Sequence, residues 1–185
     1  KGLPMIISTG MAYLSEIDEA VRTIKNNNDD LVILHCVSSY PAKFEELNLE
    51  KIKTLKNSFS DCVIGFSDHS EGTTAAIIAT ALGAKIIEKH FTLDKNMSGS
   101  DHWFSVDPKE LKELVEWIRK TEESLGSSII KPTESEIKTR LACYRSITAS
   151  QDIKKGEVLT KENIEMKRPG TGILSKFAPL VIGKE

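Results

Sequence analysis

His69 and His90 each stand just past a short β-type run, residues 63–66 and 85–88. If those runs are neighbouring parallel strands they lie about 4.8 Å apart. Both imidazoles could then reach one divalent ion. Two nitrogens completed by carboxylate or water suit manganese or zinc better than magnesium. The plainer alternative is a pair of hydrogen-bonded core histidines.

Ser8, Ser38 and Ser67 mark the ends of three successive runs of the same kind. Hydroxyls and loop amides bind phosphate oxygens, although the commoner work of serine is to form turns and caps. No Lys or Arg adjoins these serines in sequence, so a phosphate dianion would need its counter-charge from elsewhere. After the fourth run comes Ser98-Gly99-Ser100-Asp101-His102. Polar clusters behind four consecutive runs point to one shared site, because loops after strand C-termini build the sites of parallel α/β folds. His35 and Cys36 lie inside an apolar run and read as core. Lys85 and Lys89 flank the fourth run; a barrel lysine can serve as a Schiff-base nucleophile, but a solvated strand-end lysine is the commoner case. Trp103 and Phe104 suit either a ligand pocket or a loop anchor.

The elements that must position these residues are legible in outline. Runs starting near residues 5, 31, 63 and 85 alternate with helical patterns, the mark of a parallel sheet. The first helix reads with Ser15 as N-cap and Ile17, Ala20, Val21 and Ile24 as its apolar stripe. The second reads with Asn48 as cap and Leu49, Ile52, Leu55 and Phe59 inside; the third spans 73–82. The fourth has the strongest start signal: Asp107 as N-cap, Pro108 at the first position and Glu110 closing a capping box. Leu111, Leu114, Val115 and Ile118 form its apolar face, and Gly126 ends it. Four such units amount to half of a (β/α)8 barrel, which needs roughly 250 residues. An open doubly wound sheet is the rival architecture, but no GxGxxG follows the first run to support a dinucleotide fold. After Gly126 comes a linker, 127–132, then a short helix over 134–144. Short runs at 146–149 and 164–167 follow, broken by Lys155-Gly156 and Pro169-Gly170. The expected organisation is 1–126, 127–145 and 146–185: barrel half, linker with helix, and a small domain that reads as truncated.

Composition excludes several classes. The chain has 185 residues, 25 Lys+Arg against 27 Asp+Glu and a formal net charge of −2. That balance lacks the basic excess of a nucleic-acid binder. The longest mostly apolar run, 75–82, is far below a membrane span. The three cysteines, Cys36, Cys62 and Cys143, are widely spaced and read as reduced thiols in a cytoplasmic protein. Neither nucleic acid nor membrane is expected as a partner.

Taken in order, Ser8-Thr9-Gly10-Met11, Leu34-His35-Cys36 with Ser39-Tyr40-Pro41, Ile64-Gly65-Phe66-Ser67-Asp68-His69, Glu88-Lys89-His90-Phe91-Thr92 and Lys167-Arg168-Pro169-Gly170-Thr171-Gly172 carry a resemblance. The chain resembles the sialic acid synthase family, which includes N-acetylneuraminate, legionaminate-type and spore coat polysaccharide synthases. The likeness covers nearly the whole chain. It implies an α/β fold: the C-terminal half of a (β/α)8 TIM barrel, then part of a small antifreeze-like SAF domain. It implies condensation of phosphoenolpyruvate with an N-acetylated hexosamine such as N-acetylmannosamine, giving a nine-carbon 2-keto sugar acid and phosphate. It implies a divalent metal, manganese ahead of magnesium or cobalt, held by His69 and His90. Those two residues and Asp101 would be catalytic. Ser8, Ser38 and Ser67 would contact phosphoenolpyruvate, and Tyr40 and Asp101 the acceptor sugar. Arg168 would reach the sugar's N-acyl group from the other subunit of a domain-swapped homodimer. Many relatives carry Asn where this chain has Ser38. The family's phosphate-binding lysines would precede Lys1, which fits the missing positive charge.

Two further readings stand beside this one. A related phosphoenolpyruvate–aldose synthase would make another keto-sugar acid, but such relatives generally lack the SAF-like tail with Arg168. A non-catalytic carbohydrate-binding or assembly module would have no use for His69, His90 and Asp101. The chain opens on Lys1 in mid-barrel without an initiating Met, and by itself is expected to be inactive.

Overall fold

A computed structural model describes residues 2–185. The chain divides into two compact units, Lys1–Ser127 and Ser128–Glu185.

The first unit is a four-stranded parallel sheet: β1 (Met5–Ser8), β2 (Leu31–Cys36), β3 (Val63–Asp68) and β4 (Ile87–Lys89). Strand order in space equals order in sequence, β1-β2-β3-β4. Right-handed crossovers that always step the same way place every connecting helix on one face. A doubly wound sheet would reverse direction at a switch point, and no reversal occurs. The curled sheet with one helical face is therefore half a (β/α)8 barrel.

Period-two alternation assigns the two faces. Leu31, Ile33, Ile64, Phe66 and Ile87 point to the helices and pack with Ile17, Val21, Ile52, Leu55 and Ala79. Cys36, Ser67 and Glu88, partners across three strands, share the other face. β2 is buried along its whole length, as its unbroken apolar run requires of a central strand. Gly65 lets β3 approach its neighbours. A Cβ there would stand 2.5 Å from both the Ile86 carbonyl oxygen and Leu34 Cδ2.

The helices are α1 (Leu14–Lys25), α2 (Lys51–Ser58), α3 (Thr74–Ala81) and α4 (Pro108–Leu125). α4 starts as the sequence indicates. The Asp107 carboxylate accepts from the Glu110 amide at 2.8 Å, and the Glu110 carboxylate accepts from the Asp107 amide at 3.0 Å. Two other caps differ from expectation. α1 begins at Leu14 behind Tyr13, whose amide donates to the Glu16 carboxylate, so Ser15 lies inside the helix. Asn48 adopts φ +46° ahead of α2, and Glu50 holds the cap position. The stretch after β4 returns beside it: the Val106 amide donates to the His90 carbonyl and the Thr92 amide to the Val106 carbonyl. Phe104, Ser105 and Val106 are buried there.

His35 faces the helices, buried, with Nε2 2.7 Å from the Leu47 carbonyl. A carbonyl only accepts, so Nε2 carries the proton. Burial pushes the His35 pKa below 6.5, ahead of the opposing carbonyl bond. Between the folded value and 6.5 the unfolded chain binds more protons than the native one. Stability therefore falls as pH drops through that window and levels off below it. His35→Gln keeps a donor for Leu47 and removes the titration. Thermal unfolding from about pH 7.5 to about pH 5.5 should show a shallower acid slope in this variant than in the parent. Equal slopes would sink the assignment.

The second unit carries α5 (Glu134–Cys143), an antiparallel pair β5 (Ser146–Ala149) and β6 (Ile164–Lys167), and α6 (Ala178–Val181). The Thr133 hydroxyl caps α5. Buried Asn163 accepts from the Thr160 amide and donates to the Val158 carbonyl, closing the turn before β6. The Gly183 amide donates to the Leu159 carbonyl and the Leu159 amide to the Lys184 carbonyl, which ties the last residues to the fold. No helix among the described residues is long and apolar enough to cross a membrane.

Candidate functional site

On the inner face, one step past the strand ends, the rings of His69 and His90 stand 5.2 Å apart, edge to face. Register explains the apposition. Ser67 pairs with Glu88 and Asp68 with Lys89, so the next positions are the two histidines. Tyr40 covers both, with ring centroids 4.2 Å from His69 and 5.8 Å from His90. Phe104 packs on the far side of His90 at 5.2 Å. The Ala42 amide donates to the His69 carbonyl, which fastens the loop of Tyr40 to the end of β3.

His69 Nδ1 lies 2.9 Å from the Val37 carbonyl, so the proton sits on Nδ1 and Nε2 keeps its lone pair. Ser67 Oγ lies 3.4 Å from Nε2. That hydroxyl gives its proton to Glu88 Oε1 at 2.6 Å. Nε2 is thus left as a free nitrogen donor. Burial first, then the neighbouring His69, hold the His90 pKa below 6.5 against the opposing pull of Asp101. Asp101 Oδ2 stands 3.7 Å from His90 Nδ1. Its loop is fixed by the Ser105 hydroxyl, which donates to the Asp101 carbonyl at 2.6 Å, and His102 Nδ1 meets the Thr92 hydroxyl at 2.8 Å. Among the described residues no cluster of three or more His, Cys, Asp or Glu side chains converges as a metal cage. The arrangement is two imidazoles with two carboxylates nearby, Asp101 beside His90 and Glu88 on the Ser67 hydroxyl.

The serines separate. Ser67 is buried beside His69. Ser8 pairs with Leu34, two register positions below the Cys36–Ser67 pair. Ser38 lies past β2, where Gly10 adopts φ +49° and a Cβ on it would meet Ser38 Oγ at 3.0 Å. The sequence reading missed Glu88, the acceptor for Ser67. Its alternation with His90 was the signal that could have found it. Lys89 also departs from the solvated reading: its side chain is 4% exposed and lies 3.0 Å from Asp68 Oδ2. Cys36 and His35 are core, as expected. Burial raises the Cys36 thiol pKa, which argues against a thiolate nucleophile. A cavity of about 280 Å³ lies among Tyr13, Ile17, His35 and Leu55, bordered by Thr9, Gly10 and Cys36; neither His69 nor His90 lines it.

In the second unit Arg168 follows β6, exposed and without an ion pair among the described residues. Its turn is anchored. The buried Ser146 hydroxyl donates to the Pro169 carbonyl at 2.8 Å and accepts from the Gly172 amide at 2.9 Å. The Gly170 amide donates to the Leu141 carbonyl, and a Cβ at Gly170 would stand 2.4 Å from Tyr144 Cβ.

Comparison with known proteins agrees with this architecture. An uncharacterised protein of Methanocaldococcus jannaschii is 49% identical over all of this chain and 55% of its own length. The N,N'-diacetyllegionaminic acid synthase of Legionella pneumophila is 43% identical, with 99% of this chain and 52% of that protein aligned. The crystal structure of the spore coat polysaccharide biosynthesis protein SpsE of Bacillus subtilis superposes with a TM-score of 0.64 at 44% identity, covering 98% of this chain and 56% of that one. The chain thus spans about half the length of the curated relatives it matches. A SAF domain model matches residues 144–185. The NeuB family model matches residues 1–130, the whole half barrel with both inward histidines, and the chain belongs to the NeuB family.

Proposed function

We propose that the protein carrying this chain condenses phosphoenolpyruvate with an open-chain N-acetylated hexosamine. The observation that carries the reading is the His69–His90 pair, roofed by Tyr40 and flanked by Asp101, at the C-terminal ends of barrel strands. The sequence likeness to a legionaminic acid synthase supports a sugar-acid synthase reading. C3 of phosphoenolpyruvate forms a bond to the sugar's aldehyde carbon, water adds at C2, and phosphate leaves by C–O cleavage. The product is a nine-carbon 2-keto sugar acid.

His69, with its Nε2 lone pair free, and His90, kept neutral, have the donor chemistry to hold a divalent ion. That ion, manganese ahead of magnesium or cobalt, supplies Lewis-acid polarisation of the aldehyde oxygen. Asp101 and Tyr40 orient the acceptor. Ser8, Ser38 and Ser67 donate to phosphoenolpyruvate oxygens, and Ser67 does so by exchanging its present acceptor, Glu88. Arg168 donates to the N-acyl carbonyl across a domain-swapped dimer. Such positioning of two flexible reactants is where a large part of the barrier is removed.

The test is phosphate release by the natural full-length protein, given phosphoenolpyruvate, manganese and a panel of N-acyl hexosamines. One or more acceptors should release phosphate and yield a 2-keto acid in equal amounts. Phosphate release that ignores every acceptor would defeat the proposal.

A further inference from the structure

Behind the two imidazoles, on the helix-facing side, lies a closed charged group. Asp68 and Lys89 are register partners on β3 and β4, with side chains 0% and 4% exposed. Lys89 Nζ stands 3.0 Å from Asp68 Oδ2 and also donates to the Ser70 carbonyl. Asp68 Oδ1 accepts from the Ser70 amide at 2.8 Å and the Ser70 hydroxyl at 2.7 Å. Asp68 Oδ2 is buried without a directional hydrogen bond, so the ammonium is its compensation.

Each charge sits one residue before an inward histidine. Burying two ions is costly, and well-packed apolar residues of similar size often replace such a pair at no loss of stability. Stability alone does not account for it. Register does. β4 is three residues long, and its pairs with β3 are Phe66–Ile87, Ser67–Glu88 and Asp68–Lys89. A slip of one residue would turn Lys89 inward and His90 outward. A slip of two would part the two charges and set Lys89 opposite Phe66 or Ser70 instead of Asp68. Only the observed register matches charge with charge.

From this we infer that Asp68 and Lys89 are a positioning pair, which fixes β4 on β3 and thereby brings His69 and His90 face to edge. The inference rests on the reading that the two histidines act together, and its test keeps the two ideas apart. In the natural full-length protein, Asp68→Asn and the double variant Asp68→Asn/Lys89→Met are compared with the parent. The double variant leaves no lone buried charge. Manganese affinity is read by electron paramagnetic resonance of free Mn²⁺, melting temperature by calorimetry, and ring separation by crystallography.

The expected result is a double variant that melts close to the parent, binds manganese at least about tenfold more weakly, as loss of groups that orient metal ligands does, and shows the imidazoles moved from their 5.2 Å apposition. Unmoved rings in either folded variant would overturn the inference. So would failure of both variants to fold, which would make the pair a stability element. If His69→Ala and His90→Ala both leave manganese affinity unchanged, the metal reading fails, and ring separation alone decides the positioning role.

Discussion

His69→Ala and His90→Ala should each lower kcat of the full-length protein by about a thousandfold and abolish tight manganese binding. The size follows from losing several kcal/mol of Lewis-acid stabilisation at 1.36 kcal/mol per tenfold. The two variants should fail alike, because the rings form one site 5.2 Å across. They should differ in stability. His69 is buried, bonded to Val37 and packed against the tilted ring of Tyr40, whereas the His90 side chain is 27% exposed. His69→Ala should therefore melt lower. Activity is to be measured with manganese in excess, and metal affinity separately. Unchanged affinity in both variants would remove the metal from this site.

Arg168→Ala should raise KM for the acceptor sugar far more than KM for phosphoenolpyruvate. A lost charge-assisted hydrogen bond is worth about 1.5–3 kcal/mol, or roughly 10- to 150-fold. A guanidinium suits this contact because it stays charged and donates in a fixed plane. The turn that carries it is held by Ser146, so the loss should read as lost contact rather than local unfolding. Mixing Arg168→Ala subunits with His69→Ala subunits tests the swapped geometry. In the heterodimer both lesions fall on one site and the other site is intact, so up to half of one dimer's parental activity should return. No recovery in a confirmed heterodimer would mean that Arg168 serves its own barrel or no substrate at all.

Period-two alternation and turn chemistry made much of the first unit readable before its structure. Asp107, Pro108 and Glu110 announce α4 because a capping box is a local device, complete within four residues. The adjacency of His69 and His90 was readable because parallel register carries neighbouring strand ends to neighbouring places. The misses share a cause: they depend on partners distant in sequence. Lys89 looks solvated until Asp68 is placed opposite it. The choice of Nδ1 as the protonated nitrogen of His69 depends on the Val37 carbonyl, set by the end of β2. The return of 104–106 along β4 hides in a polar loop, because its pairing is with the backbone of residues 90–92 and not with any side-chain pattern. Ser15 and Asn48 carry cap residue types but do not cap: the local Tyr13–Glu16 contact starts α1 ahead of Ser15, and Asn48 sits in a left-handed turn.

The unbroken strand order β1-β2-β3-β4 has an evolutionary reach. Each loop that furnishes the site is encoded between two strands that are neighbours in both gene and space. A loop can lengthen, shorten or be exchanged without disturbing the pairing of any other strand. The segment between β4 and α4, which carries His90 at its start and Asp101 further on, is held by the Ser105 hydroxyl on the Asp101 carbonyl, by His102 on Thr92 and by Lys95 on Glu110 of α4. Residues 93–103 can therefore change around Asp101 without disturbing the strand register that sets the two imidazoles side by side.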